Sequence, residues 1–261
     1  MAWQETMATG PTIPRFGGWA GLYARYRPSY PAELIARLSQ AVRGRRLCIE
    51  LGAGTGQATE SLLALFDAVE AVEPDPAMAR AIPPHPRLAV RQTKAEAVRL
   101  PPAQADAVVA FTSLPWMQVD RVLHQAAGWL RPGGVFFACG LAPAQYPGAS
   151  SAVAAVLRSY ARRWRGHTHR RLTAWDSVAA HLAQAPAFEG LEAVEVYADV
   201  SWTPRQAAGF LLATSFGQAF AQATGDADKA FETLTDDLCL ASAGSAIAVR
   251  IPIEGAWARR R

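Results

Sequence analysis

A chain of 261 residues with 51% apolar and 18% charged residues has enough material for the core of one large α/β domain with a cap, which excludes a disordered or fibrous protein. The formal charge of +4 makes it mildly basic, too little to imply nucleic acid unless the charge is concentrated on one face. No apolar run approaches the ~20 residues that span a bilayer, and residues 1–15 lack the apolar centre of a signal peptide, so the expectation is a cytoplasmic protein without a membrane partner.

Cys48, Cys139 and Cys239 show neither metal nor redox spacing and are expected to be reduced packing residues. No metal site is predicted. Among the basic residues only Lys94 and Lys229 are lysines, and the planar fork of arginine suits carboxylate or phosphate contacts.

Residues 1–20 read as a flexible lead and 21–261 as one domain. The stretch from Gly21 to Pro31 interleaves aromatics, arginines and prolines, with Tyr23, Arg27 and Tyr30 among them, and Pro31 is placed to open a helix over 32–42. An apolar run with a carboxylate, Leu47-Cys48-Ile49-Glu50-Leu51, then meets Gly52-Ala53-Gly54-Thr55-Gly56 and an amphipathic segment over 57–66. This pattern predicts a strand, a tight turn and a helix N-terminus. Glycine permits positive φ and lets a ligand approach without a Cβ, against N–H groups at the positive end of the helix. A dinucleotide fingerprint would need glycine where Gln57 stands, and a phosphate loop would need lysine after its last glycine, so the spacing counts against both.

Residues 68–74 read as a second strand ending in Glu73, about 20 residues beyond the glycines, where a carboxylate meets ribose hydroxyls. Pro74, Asp75 and Pro76 then start a helix that places Met78 near that strand end, and His85, among prolines, is expected at the surface. A third strand over 87–92 leads to Lys94-Ala95-Glu96, and the nearly continuous apolar run 105–111 reads as a buried parallel strand. That strand delivers Phe111, Thr112 and Trp116 to the carboxyl edge, where open α/β sheets bind ligands.

Asp120 is expected to cap a helix over 121–130, with Arg131-Pro132-Gly133-Gly134 closing it before a strand over 135–139. His124 is given a surface or structural role. Residues 150–164 have helical spacing and open a basic stretch, with Arg158, Arg162, Arg163, Arg165, Arg170 and Arg171 among Tyr160, Trp164, His167 and His169. Such a stretch suits an anionic small molecule, a nucleic-acid backbone or simply a solvated helix face. Thr173 and Asp176 look like a capping box for a helix to 185, residues 191–200 alternate as a strand, and Thr203 and Gln206 box a helix running to Phe216. A helix over 226–240 and a last strand over 245–253 follow, with a disordered tail at 259–261. This order predicts a doubly wound, mostly parallel seven-stranded α/β sheet.

The acid-x-Gly-x-Gly-x-Gly run at 50–56 resembles the first motif of the class I, Rossmann-like methyltransferases that use S-adenosyl-L-methionine. The Tyr-x-x-x-Arg-Pro-x-Tyr-Pro run at 23–31, the Leu-x-Pro-Gly-Gly run at 130–134 and Trp202-Thr203-Pro204 are similar to the type 11 small-molecule group related to trans-aconitate methyltransferase. The resemblance implies an antiparallel last strand and helical caps at 141–190 and 203–242. It implies S-adenosyl-L-methionine on the turn Gly52, Ala53, Gly54 and Gly56, with Glu50, Glu73 and Pro74 at the strand ends. Met78, Ala95 and Glu96 would surround the adenine, Arg27 or Tyr30 would meet the cofactor's carboxylate, and Phe111 and Thr112 would border it. The acceptor side would include Tyr23, Trp116, Ser215 and Phe216, with Arg162 and Arg163 favouring an anionic small molecule.

Two departures matter: Lys94 stands where many relatives carry aspartate, and Pro115-Trp116 where many carry a histidine, which removes the side chain that would serve as a base. No catalytic residue is therefore assigned. The expected function is methyl transfer to a small molecule by a monomer or homodimer, without nucleic acid. The alternatives are a cofactor-binding fold that does not methylate and an RNA methyltransferase.

Overall fold

The computed structural model describes residues 20–165 and 175–261. Alternation along the central strands sets the architecture. On β1 (Leu47–Leu51), Cys48 packs toward α2 (Ala32–Ala41) and α3 (Thr59–Leu65), whereas Ile49 and Leu51 pack toward α5 (Val119–Trp129) and α7 (Trp175–Gln184). The same parity divides β4 (Ala105–Phe111), whose seven residues are all buried: Val109 and Phe111 go one way, Val108 and Ala110 the other. A strand covered on both faces reads as a continuous apolar run, which is why its sequence shows no polar alternation.

The seven strands lie in the order β3-β2-β1-β4-β5-β7-β6, where β2 is Ala68–Val72, β3 Leu88–Arg91, β5 Leu130–Leu141, β6 Phe188–Trp202 and β7 Ile247–Arg260. Strands β1 to β5 pair in parallel, and β7 runs antiparallel between β5 and β6. From β1 the chain steps outward through β2 and β3, then returns to β4 on the other side of β1. That reversal opens a crevice at the carboxyl ends of β1 and β4. Below it, the buried Asp106 accepts from the amides of Arg46 (2.6 Å) and Leu47 (3.1 Å) and pairs with Arg131, which pins the start of β4 to the start of β1.

A third apolar cluster joins α6 (Ser151–Arg165), α8 (Pro204–Leu212), α9 (Ser215–Thr224) and α10 (Ala227–Ala241) to β6, β7 and Leu22 and Tyr26 of α1 (Ala20–Tyr26). The expected box at the start of α8 is present, with the Thr203 hydroxyl accepting from the Gln206 amide and the Gln206 side chain accepting from the Thr203 amide. Arg170, Arg171, His167, His169 and Thr173, like the lead at 1–19, lie outside the described residues.

Several elements differ from the sequence reading. The helix expected to run to Phe216 ends at Leu212, because Thr214 caps a new helix by accepting from the Gly217 amide at 3.1 Å. Gly217 makes the break compact, since a Cβ there would lie 2.3 Å from the Leu211 carbonyl. The tail expected to be disordered is strand: Arg259 faces Val135 and Arg260 faces Phe188 in the ladder. Pro252 and Gly255 hide that strand from a pattern search, yet Gly255 is required, because a Cβ would come within 2.4 Å of the Ala138 carbonyl. Asp120 is not the cap of α5. Gln118 holds that position, and Asp120 in the first turn meets His181 Nδ1 of α7 at 2.6 Å. The helix α5 ends at Trp129 with Leu130 as its cap, close to where it was expected to stop, but β5 begins at Leu130 rather than at 135, and Cys239 is exposed, unlike the buried Cys48 and Cys139.

Candidate active site

The turn after β1 is held from beneath. The amides of Gly52 and Ala53 both donate to the Val72 carbonyl, at 2.7 and 3.2 Å, so the turn is fastened to the end of β2. Gly52, Gly54 and Gly56 have φ of 69°, 61° and 91°, in the left-handed region that favours glycine. They are not equivalent. A Cβ on Gly52 would lie 2.4 Å from Ser113 Cβ, so this glycine serves packing, while a Cβ on Gly54 would meet only Tyr23 at 3.7 Å and Gln57 at 3.8 Å. Gly54 is therefore not fixed by packing, since a side chain's first atom would make only ordinary contacts there.

Glu73 closes the turn from the neighbouring strand end. Its Oε2 accepts from the Gly54 amide at 2.8 Å and its Oε1 from the Asp75 amide at 2.9 Å. Burial raises its pKa, and the two amides partly offset the rise. Asp75 caps α4 (Pro76–Ala81) by accepting from the Ala77 and Met78 amides, and Met78 is buried. Glu50, one residue before the end of β1, accepts from the Thr59 hydroxyl at 2.6 Å. Burial is the main cause that pushes its carboxyl up to about 8; Thr59 opposes this and the charge of Glu73 adds to it.

The opposite wall comes from β4. Thr112 has a φ of 61°, donates its amide to the Cys139 carbonyl at 2.6 Å, and shares a 2.6 Å hydrogen bond with the Tyr30 hydroxyl. Tyr30 also lies 4.9 Å from the Phe111 ring, whose side chain packs toward α2 and α3. The N-terminal segment thus crosses the carboxyl edge. Tyr23 lies beside Gly54, and the Arg27 guanidinium sits 5.4 Å from the Tyr23 ring and 5.7 Å from that of Phe210 in α8. Tyr26 is docked where Gly209 of α8 leaves room for its ring.

The structure therefore brings Tyr23, Arg27, Tyr30, Glu50, Glu73, Phe111 and Thr112 together around the glycine turn. Pro74 follows Glu73 directly, and Ala95 is buried. The Glu96 carboxylate accepts from the Gln118 amide at 2.8 Å. Trp116 lies in a short 3-10 turn, Leu114–Trp116, just beyond β4. Ser215 and Phe216 begin α9, with Phe216 exposed. Arg162 is exposed on α6, while Arg163 lies over the rings of Tyr160 and Phe220, within the helical cluster.

The sequence reading missed three contributors. Ser113 bonds the Leu51 carbonyl through its hydroxyl, Met117 Cε reaches within 3.2 Å of the Cβ position of Gly52, and Thr59 anchors Glu50. Ser113 and Met117 belong to the stretch already recognised as the end of β4. Only the tertiary fold shows them meeting a turn some 60 residues earlier.

S-adenosyl-L-methionine combines a nucleoside with a sulfonium and an amino acid. Uncrowded backbone at Gly54, a carboxyl group at the adjacent strand end and a further one at Glu50 fit such a molecule.

Comparison with known proteins agrees with this geometry. Residues 49–138 match a family model described as a methyltransferase domain. An uncharacterized methyltransferase of Mycobacterium tuberculosis is 39% identical over 124 residues, which is 46% of this chain and 49% of that protein. A probable S-adenosylmethionine-dependent methyltransferase of Saccharomyces cerevisiae is 26% identical over 123 residues, 44% of this chain and 42% of that one. The chain thus spans about half the length of the curated relatives it matches. A solved structure from Anaeromyxobacter dehalogenans, provisionally named a type II methyltransferase, superposes with a TM-score of 0.72 and 26% identity, covering 90% of this chain and 98% of that one. The seven-stranded sheet and the methyltransferase domain matched at its centre agree, and the chain has the fold of the class I, Rossmann-like methyltransferases.

Proposed function

We propose that the chain transfers a methyl group from S-adenosyl-L-methionine to a small-molecule acceptor. The observation that carries this reading is the clasp between Glu73 and the Gly54 amide, which leaves a carboxyl acceptor beside uncrowded backbone at the mouth of the sheet. When bound, the cofactor supplies an activated methyl on a sulfonium, and the departing group is a neutral thioether. The protein's part is then alignment and exclusion of water. Glu73 holds the ribose hydroxyls, the Gly52–Gly56 turn receives the amino-acid end, and Tyr23 and Arg27 cover it from the N-terminal side. A hydroxyl or carbon acceptor needs a proton removed; a carboxylate does not. The absence of a histidine at Pro115 is compatible with the latter.

In this reading α6 and α8 to α10 form the cap over the acceptor, within one domain spanning 21–261, while α7, expected in the cap at 141–190, instead covers the sheet beside α5. The cap packs on α1 through Tyr26 and Arg27, and this contact supports the reading of a small acceptor. Exposed Arg162 and neighbouring Arg163 favour an anionic one. A cytoplasmic location accords with the described residues, in which no helix is long and apolar enough to cross a membrane.

The test is incorporation of tritiated methyl from S-adenosyl-L-methionine into fractionated metabolite extract and, separately, bulk RNA. Label in the small-molecule fraction is expected. Label in RNA alone would replace the acceptor class, and cofactor binding with label in neither would favour a fold that binds without transfer.

A further inference from the structure

We propose that Glu50 is uncharged in the cofactor-free protein and releases its proton when a cationic cofactor settles on the glycine turn, so that binding and deprotonation are one event. The proposal rests on the reading that the ligand is S-adenosyl-L-methionine, and it deepens that reading by giving Glu50 a role separate from that of Glu73.

The two carboxylates differ in what surrounds them. Glu73 has an amide on each oxygen, at 2.8 and 2.9 Å, and these two donors favour its charged form. Glu50 is only 2% exposed and accepts one hydrogen bond, from the Thr59 hydroxyl. Among the described residues, none of the groups that set the ionisation of Glu50 is a cation. Its own strand offers Cys48, β4 places Val109 opposite, α3 supplies the hydroxyl of Thr59, and β2 ends in Glu73, whose charge opposes a second one nearby. Asp75 adds a further negative charge to that strand end. Arg27 packs on the rings of Tyr23 and Phe210 and is not among the charges that act on Glu50. Burial and the neighbouring carboxylate both oppose ionisation of Glu50, and the single hydroxyl does not offset them.

A cation resting on the turn changes this balance. The turn begins two residues beyond Glu50 and is bonded to Glu73, so a positive charge there falls within the field of both carboxylates, in surroundings that screen it poorly. The carboxyl of Glu50 then becomes the counter-charge, and its O–H bond breaks with the electron pair kept on oxygen. The proton passes to solvent, and the charge is balanced by the cofactor's own.

Isothermal titration of the full chain with S-adenosyl-L-methionine at pH 7, in buffers of differing ionisation enthalpy, counts the protons. About one proton released per cofactor is expected, with affinity rising about tenfold per pH unit up to about 8. Glu50→Gln should bind without release and with no such slope. Thr59→Val, which removes the one donor that favours the carboxylate, should move the upper break to higher pH. If the parent binds the cofactor with no buffer dependence, or if Glu50→Gln still releases the proton, the proposal is overturned, and the buffer series on the parent decides even if the variants do not fold. A chain that binds no S-adenosyl-L-methionine at any pH overturns the functional reading itself.

Discussion

The Gly54 amide donates to Glu73 Oε2 at 2.8 Å, joining the turn after the first strand to the end of the second. The same carboxylate also receives the Asp75 amide, so a single side chain organises both the turn and the start of α4. Each carboxylate oxygen has a further lone pair for ligand hydroxyls.

Glu73→Ala is therefore expected to weaken S-adenosyl-L-methionine binding by at least about tenfold, or about 1.4 kcal/mol, because a charged acceptor is lost and the turn is released with it. Titration calorimetry on the variant measures this directly. Equal affinity in variant and parent would remove Glu73 from the site.

Gly52→Ala and Gly54→Ala should separate packing from binding. Both force a side chain into the left-handed region, at a cost of about 1–2 kcal/mol. Gly52→Ala adds overlap with Ser113, worth roughly 1–3 kcal/mol more, so its denaturant midpoint should fall further. Gly54→Ala should unfold nearer the parent yet lose cofactor affinity, because its methyl enters the space left for the ligand. Equal losses of stability in the two variants would contradict this assignment.

Charge reversal on α6 tests the acceptor side. Arg162→Glu is expected to raise the KM for an anionic acceptor by about tenfold while leaving the dissociation constant of S-adenosyl-L-methionine unchanged. Arg163→Glu should additionally lose about 1 kcal/mol of stability, because the guanidinium lies over the Tyr160 and Phe220 rings. Unaltered acceptor kinetics in both variants would leave the pair a solvated helix face.

The stability of the ligand-free chain should depend on Glu50 with a definite sign. Its carboxyl moves from 4.5 in the unfolded chain to about 8 in the folded one, so the folded state binds the extra proton between those limits. The contribution is fully present below pH 4.5, declines as pH rises, and is gone above about 8. Urea midpoints across pH 5 to 9 should show a steeper decline for the parent than for Glu50→Gln, which carries no titrating group. Parallel curves would show that Glu50 is ionised throughout.

Local chemistry made much of this protein legible from its residues alone. The glycines at 52, 54 and 56, the acid at 73 and the apolar run at 105–111 carry their meaning in short windows, because backbone conformation and two-sided burial act on neighbouring residues. The box at Thr203 and Gln206 was legible for the same reason. What the sequence left open arises where distant segments meet. Ser113 against Gly52, Tyr30 against Thr112, and Asp120 against His181 are contacts across 61 to 82 residues, which no periodicity encodes. The long final strand likewise exists because β5 and β6 supply ladder partners on both sides, which holds Pro252, Gly255 and the terminal arginines in an extended form their own preferences do not favour. The protonation of Glu50 belongs with these, since burial and the charge of a neighbouring strand end decide it, and both exist only once the sheet has closed.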